Sequence, residues 1–199
     1  MKKTVLLPML AAAIPFLGAG CAGTNAHYVQ TGDQHNVVTI GAINIQDYIQ
    51  AANEMTGKLL ASGALDRVAN PPAVLAISRI VNNTAQQIDT DLLTKKIRVA
   101  VLDSGKALTT TTMGLGGTAE DPMAKGLQQE NEFKNDVKAT RTPDFTLSGK
   151  IIQLAVKAGN TSQSTYSFQL SLTDAKSGLA VWEGEKEITK QGTRSSVGF

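Results

Sequence analysis

Residues 74–111 read VLAISRIVNNTAQQIDTDLLTKKIRVAVLDSGKALTTT, and this stretch decides the fold. Its first third, extended to residues 73–84, is rich in β-branched side chains, which predicts a β-strand. Both alternating sets of side chains in that strand are mostly apolar, so we expect a central strand that is covered on both faces. One set is Val74, Ala76, Ser78 and Ile80, and the other is Leu75, Ile77, Arg79 and Val81.

The middle of the stretch fits either a strand or a helix. The segment KIRVAVLD alternates apolar and polar residues, as a strand with one exposed face does. Apolar residues also recur there at the spacing of a helix, at Leu93, Ile97, Ala100 and Val101. Thr90 is a suitable N-cap, and Gly105 suits the end of a helix. We favour a helix over 90–104, followed by a strand over 106–113.

Two further helices flank this stretch. Upstream, Asn44 is a suitable N-cap, with Asp47 three residues later to complete a capping box. Apolar residues at helical spacing follow it. The segment NPP at 70–72 cannot continue that helix. Downstream, Asp121 is a suitable cap for a polar surface helix over 122–140 that begins with Pro122.

Three strands are predicted to close the chain as an antiparallel meander. They cover residues 142–158, 162–175 and 179–190, with turn sequences between them. In the second of these strands, the apolar residues Tyr166, Phe168, Leu170 and Leu172 alternate with polar ones. This alternation is typical of a strand with one face towards water.

The N-terminus has the layout of a bacterial lipoprotein signal. Lys2 and Lys3 precede an apolar run over 5–17 that is too short to span a bilayer, and small residues precede Cys21. LGAGC resembles the lipobox, so we predict a signal peptide over 1–20 and a lipid on Cys21. An ordinary secretory signal and a free buried cysteine are the alternatives. Residues 21–42 are polar and read as a short flexible tether, about 25 Å in root-mean-square span.

Composition and motifs argue against several classes of function. Without Lys2 and Lys3 the chain holds 17 basic and 17 acidic residues, which does not favour a nucleic-acid partner. Both histidines, His27 and His35, fall in the tether, where they cannot serve a fixed catalytic or metal site. Glu183 and Glu185 would share one face of a strand, but such a pair is usually only solvated. We predict no catalytic residue, no cofactor and no metal.

Two segments resemble the LpoB family of penicillin-binding-protein activators. These are the opening stretch at 74–111 and YSFQLSLTDAKSGLAVWEGEKEITKQG at 166–192, which is similar to that family's closing hairpin. The resemblance covers residues 43–192 and leaves 193–199 as a tail. It implies an α+β fold with an antiparallel sheet of four to five strands flanked by helices, as in the wider CsgG and TolB-like group. It also implies a helix, not a strand, over 90–104.

The same resemblance implies a function. Such lipoproteins lie in the outer membrane, face the periplasm, and bind a bifunctional penicillin-binding protein, whose peptidoglycan synthesis they stimulate without catalysis of their own. No small-molecule substrate is expected. By the sorting rule for such lipoproteins, Ala22 after the cysteine points to the outer membrane. The alternatives are a CsgG-like secretion or envelope-assembly lipoprotein and a lipoprotein enzyme. One departure is the tether, which is short and has no proline between Cys21 and Ile43.

Overall fold

The structure is a computed structural model that describes residues 26–31, 33, 36–112, 119–134 and 141–193. The signal peptide, Cys21, His35 and residues 194–199 of the predicted tail lie outside these residues, whereas Thr193 belongs to the last strand. The helices and strands are α1 (Ile45–Ala61), β1 (Ala73–Asn83), α2 (Asp91–Asp103), β2 (Ala107–Thr109), α3 (Pro122–Phe133), β3 (Phe145–Ala158), β4 (Thr161–Asp174) and β5 (Ala180–Thr193), with a short 3-10 helix at Ala64–Asp66.

The five strands form one sheet in the order β2-β1-β3-β4-β5. The predicted α+β class and the antiparallel meander of the last three strands are confirmed. The sheet as a whole is mixed, because β1 runs parallel to both β2 and β3. The antiparallel prediction is therefore wrong for this half of the sheet. The chain leaves β1 through α2 and reaches β3 after α3, and helical connections of this kind join parallel strands.

A β-bulge in β1 changes which side chains face the core. Ile77 pairs with Leu147, whereas Ile80 pairs with Gly149, so β1 holds one extra residue at this point. The extra residue turns Ile80 onto the same face as Ile77, where it is buried. The prediction that β1 is covered on both faces holds over 73–77 and is wrong beyond it, since Val81 is half exposed.

Helices α1 and α2 pack against each other and against one face of the sheet. On that face β4 contributes every second residue, so the predicted alternation is confirmed. An edge-to-face contact joins the Tyr48 and Phe168 rings, whose centroids lie 6.2 Å apart. Burial of each large apolar side chain stabilises the fold by about 1.5–3 kcal/mol. The largest fully buried side chains include Met55, Leu59, Leu75, Ile80, Leu93, Ile97, Leu147, Ile151, Tyr166, Phe168 and Leu172.

The helix boundaries follow local chemistry closely. Asp47 accepts the backbone N–H of Asn44 at 2.6 Å, which confirms the predicted start of α1. This helix ends earlier than the prolines require, and Gly63 follows it with a left-handed φ of 71°. Helix α2 differs by one residue at each end from the prediction. Asp121 caps α3 by accepting the N–H of Ala124 at 3.0 Å, as predicted. Of the strand expected over 106–113, the described residues 106–112 form only the three residues of β2, and Met113 lies outside the described residues.

Candidate interaction surface

The sheet has one covered face and one open face. The open face is formed by the side chains of β3, β4 and β5 that point away from α1 and α2. On β4 these side chains are polar and uncharged, and they alternate with the buried apolar ones. The open-face residues of the three strands are Thr146, Ser148, Lys150, Ile152, Leu154 and Val156, then Gln163, Thr165, Ser167, Gln169, Ser171 and Thr173, then Glu183, Glu185, Glu187, Thr189 and Gln191.

A shallow groove of about 880 Å³ crosses this face. Arg79 of β1 and Lys150 of β3 line one side, and Glu183 and Glu185 of β5 line the other. Neither Arg79 nor Lys150 forms an ion pair with another residue that the structure describes. The groove therefore presents positive and negative charges on opposite sides of a polar floor.

Glutamates occupy three alternate positions of β5, and we term them the glutamate ladder: Glu183, Glu185 and Glu187. The first accepts a hydrogen bond from the Ser171 hydroxyl at 3.2 Å. Hydrogen bonds from the Ser167 hydroxyl and the Gln169 amide, at 2.5 and 2.7 Å, lower the pKa of Glu185. The predicted pairing of Glu183 and Glu185 on one face is thus confirmed. None of the three glutamates forms an ion pair with a cationic side chain among the described residues.

A second cluster lies at the other side of β5, where residues 40–43 meet the body. We term it the tether clamp, because three side chains hold this segment: Gln86, Tyr166 and Lys190. The Tyr166 hydroxyl donates to the Ile40 carbonyl at 3.3 Å. The Gln86 amide donates to the Gly41 carbonyl and to the Tyr166 oxygen, and its own oxygen accepts the Ile43 N–H at 3.0 Å.

Lys190 supplies the charged part of the clamp. Its ammonium donates to the Ala42 carbonyl at 2.8 Å and to the side chains of Asn44 and Asp47, each at 2.5 Å. It also lies 5.7 Å from the centroid of the Tyr166 ring, within the range of a cation–π contact. Lys190 and Asp47 are only 8% and 6% exposed, so this ion pair is buried. Residues 40–42 of the predicted tether are therefore bound to the body by these contacts.

An ion pair also ties the start of α3 to α2. Buried Arg98 donates to Glu120, and Lys95 lies 3.6 Å from the same carboxylate. The hydrogen bond from Arg98 is the main reason why the pKa of Glu120 is lowered. Helix α3 itself has no buried residue. The connection between these two helices is therefore largely electrostatic.

Among the described residues, the candidates for catalysis or metal binding do not come together in one site. His27 is exposed, and His35 lies outside the described residues. Over the described ranges, no group of three His, Cys, Asp or Glu side chains is close enough to hold a metal ion. In the same part of the chain, no helix has the length and hydropathy needed to cross a bilayer. The open face therefore offers hydrogen-bonding groups and charged side chains to a partner.

Sequence reasoning missed the tether clamp and the cations of the groove. The one signal for the clamp was Lys190, a charged residue in phase with the buried side chains of a strand. Arg79 reaches the groove only because of the bulge in β1, which no local pattern predicted.

Comparison with protein families gives one match that covers most of the chain. The family model described as the peptidoglycan-synthase activator LpoB matches residues 47–188. No curated protein matches the sequence.

Solved structures with a similar course of the chain share little sequence with it. The LpoB C-terminal domain from Salmonella enterica is 18% identical with a TM-score of 0.43, and the comparison covers 71% of this chain and 98% of that one. The corresponding domain from Escherichia coli is 16% identical with a TM-score of 0.42 and the same coverage. Lipoprotein GNA1162 from Neisseria meningitidis is 16% identical with a TM-score of 0.34, over 62% of this chain and 88% of that one. With TM-scores below 0.5, these similarities add no argument to the family match.

Proposed function

This chain belongs to the LpoB family of peptidoglycan-synthase activators, and we propose that it binds a bifunctional penicillin-binding protein in the periplasm and stimulates its synthesis of peptidoglycan. The observation that carries the proposal is the family match over residues 47–188. That range overlaps every helix and strand from α1 to β5. The family has no catalytic activity, so the protein acts through binding.

A protein without catalysis of its own activates an enzyme by binding the active state more tightly than the inactive one. The size of the effect is limited by that difference in affinity. A complete shift from 1:99 to 99:1 requires about 10⁴-fold tighter binding of the active state, which is about 5.5 kcal/mol. The open face suits such a role because its strands are held rigidly by the buried core on the opposite side.

The proposed anchor is a lipid on Cys21, after removal of residues 1–20, and Ala22 supports the outer membrane as the location. Two or three acyl chains hold a protein stably on a membrane, at about 0.8 kcal/mol per buried CH₂ group. Residues 21–42 form the proposed tether, 43–192 the proposed binding domain and 193–199 the proposed tail. Because hydrogen bonds to the Asn44 side chain and to the clamp hold the chain from Val37 onward, the free part of the tether spans at most about 60 Å when fully extended.

The function is tested with the mature lipoprotein in detergent and a purified bifunctional penicillin-binding protein from the same cells. We expect the rate of glycan polymerisation from the lipid-linked precursor to rise severalfold in its presence. The lipoprotein alone should turn over no precursor. An unchanged rate, together with no measurable binding, would contradict the proposal; assembly of the lipoprotein into rings would favour the secretion alternative instead.

The anchor is tested separately by Cys21→Ala. We expect this variant to leave the membrane fraction and remain folded, since Cys21 lies outside the domain that the family match covers. The circular dichroism spectrum of the released protein serves as the control. Recovery of the variant in the membrane fraction would show that another segment holds the protein there.

A further inference from the structure

Strand β5 forms an edge of the sheet and is 14 residues long. No described residue pairs with its outer side. Long regular edges are uncommon, because their unpaired N–H and C=O groups invite another strand, and most proteins shorten, bulge or cover them. The strand β1 illustrates the usual protection, since a bulge interrupts it where β2 no longer pairs with it. The glutamate-bearing part of β5 has no such interruption.

The hairpin between β3 and β4 determines which backbone groups of β5 point outward. Its two-residue turn makes Ala158 and Thr161 a hydrogen-bonded pair. Alternate residues of β4 from Ser162 onward therefore bond to β5, and their partners are the even-numbered residues of β5. The odd-numbered ones direct their N–H and C=O groups outward. These outward residues are Glu183, Glu185, Glu187, Thr189 and Gln191.

The glutamate ladder thus lies on the residues whose backbone groups are free. A strand added at this edge would place its side chains about 4.5–5.5 Å from those of the ladder, on the same face. The cations of β5 do not offset the ladder, because they point to the other face and are already paired. Lys186 contacts Glu54 at 2.5 Å, and Lys190 contacts Asp47.

The same charges oppose pairing between two copies of this chain. Antiparallel pairing of β5 with β5 centred on Glu185 would set glutamate against glutamate at three successive positions. Like charges directly opposite each other in a sheet are destabilising. The edge therefore favours a segment of opposite charge over a second copy.

We propose that β5 receives an extended basic segment of the protein partner as a sixth strand, with Lys or Arg at alternate positions facing Glu183, Glu185 and Glu187. Backbone hydrogen bonds would provide affinity, and the alternating charges would fix the register. The inference rests on the proposed function only for the identity of the protein that carries this segment, which is then the peptidoglycan synthase.

The backbone part of the proposal is tested at Thr189. Thr189→Pro removes an outward N–H while the hydrogen bonds between β4 and β5 remain, because proline is tolerated at a strand edge. Thr189→Ala is the matched control, since it removes the hydroxyl contact with Thr165 but keeps the N–H. In binding measurements between the mature lipoprotein and the purified synthase, we expect Thr189→Pro to weaken binding at least tenfold relative to Thr189→Ala.

The charge part is tested by replacing all three ladder residues with glutamine. We expect this variant to bind the synthase at least tenfold more weakly and with less dependence on salt concentration. A triple control changes the same charge elsewhere, with Asp103→Asn, Glu130→Gln and Glu132→Gln at exposed positions of α2 and α3. That control should alter binding less than twofold.

The outcomes separate this inference from the proposed function. If the native protein activates the synthase and Thr189→Pro or the glutamine variant does so equally well, docking at β5 is wrong while the function stands.

If the native protein does not bind the synthase, the function fails, and a nine-residue peptide with lysine at alternate positions becomes the probe. It should slow hydrogen exchange of the Glu183, Glu185 and Glu187 amides more than a peptide of the same composition without alternation. Equal effects, or a native dimer abolished by Thr189→Pro, would overturn the inference.

Discussion

The buried ion pair of the tether clamp gives the sharpest prediction, and Lys190→Met is the change that tests it. Methionine retains most of the apolar length of lysine but cannot neutralise Asp47, which is 6% exposed and loses a donor at 2.5 Å. Removal of one partner from a buried pair typically costs about 3–5 kcal/mol. An exposed pair would contribute about 0–1 kcal/mol. We therefore expect the free energy of unfolding to fall by about 3 kcal/mol or more.

The measurement is urea unfolding of the mature chain with Cys21→Ala, combined in a double-mutant cycle with Asp47→Asn. The asparagine keeps an oxygen for the Asn44 N–H, so the start of α1 is preserved in the control. We expect a coupling energy of about 2 kcal/mol between the two positions. The m-value should stay constant. A loss below about 1 kcal/mol for Lys190→Met, or strictly additive effects, would refute the view that this pair holds the segment to the body.

Three further predictions concern other parts of the fold. Gly149→Ala should lower the free energy of unfolding by about 1–3 kcal/mol, because its Cβ would lie 2.5 Å from the Gln169 carbonyl oxygen in the adjacent strand. Gly57→Ala should raise the free energy of unfolding by about 1 kcal/mol, because this exposed position of α1 has no atom within 4 Å of the new Cβ. Thermal denaturation measures both variants, and shifts of the same sign would contradict the different surroundings described for the two glycines. Glu120 has a lowered pKa, so its pairing with Arg98 stabilises the fold above the unfolded pKa and is lost as the pH falls through the folded pKa. Acid unfolding of Glu120→Gln should then show a shallower decline of stability below about pH 4.5 than the native protein.

Much of the fold could be predicted because local signals were strong. The caps at Asn44 and Asp121 and the alternation in β4 each depend on neighbours within a few residues. The parallel pairing of β1 and its bulge depend on contacts with β3, which lies more than 60 residues away in sequence. A face assignment by simple alternation necessarily fails after such a bulge, because one extra residue reverses the phase of the strand.

The candidate surface was less predictable than the fold. Glu183 and Glu185 were recognised as neighbours from their spacing, but their role depends on β5 being an edge, which only the strand order shows. The tether clamp joins Gln86, Tyr166 and Lys190 from three separate elements. Nothing in the composition of residues 40–42 marks them as bound, since their contacts run through backbone carbonyls that every residue possesses.

The clamp also determines where the body is held relative to its proposed lipid anchor. Lys190 lies near the end of β5, so the strand runs away from the point of attachment towards Ala180. The ten residue steps from Lys190 to Ala180 measure about 33 Å. Added to the fully extended tether, this length would bring the far end of β5 up to about 90 Å from Cys21, the proposed site of the lipid. A short tether without proline would therefore not restrict binding to partners at the membrane surface, because the domain itself supplies a large part of the distance to a partner across the envelope.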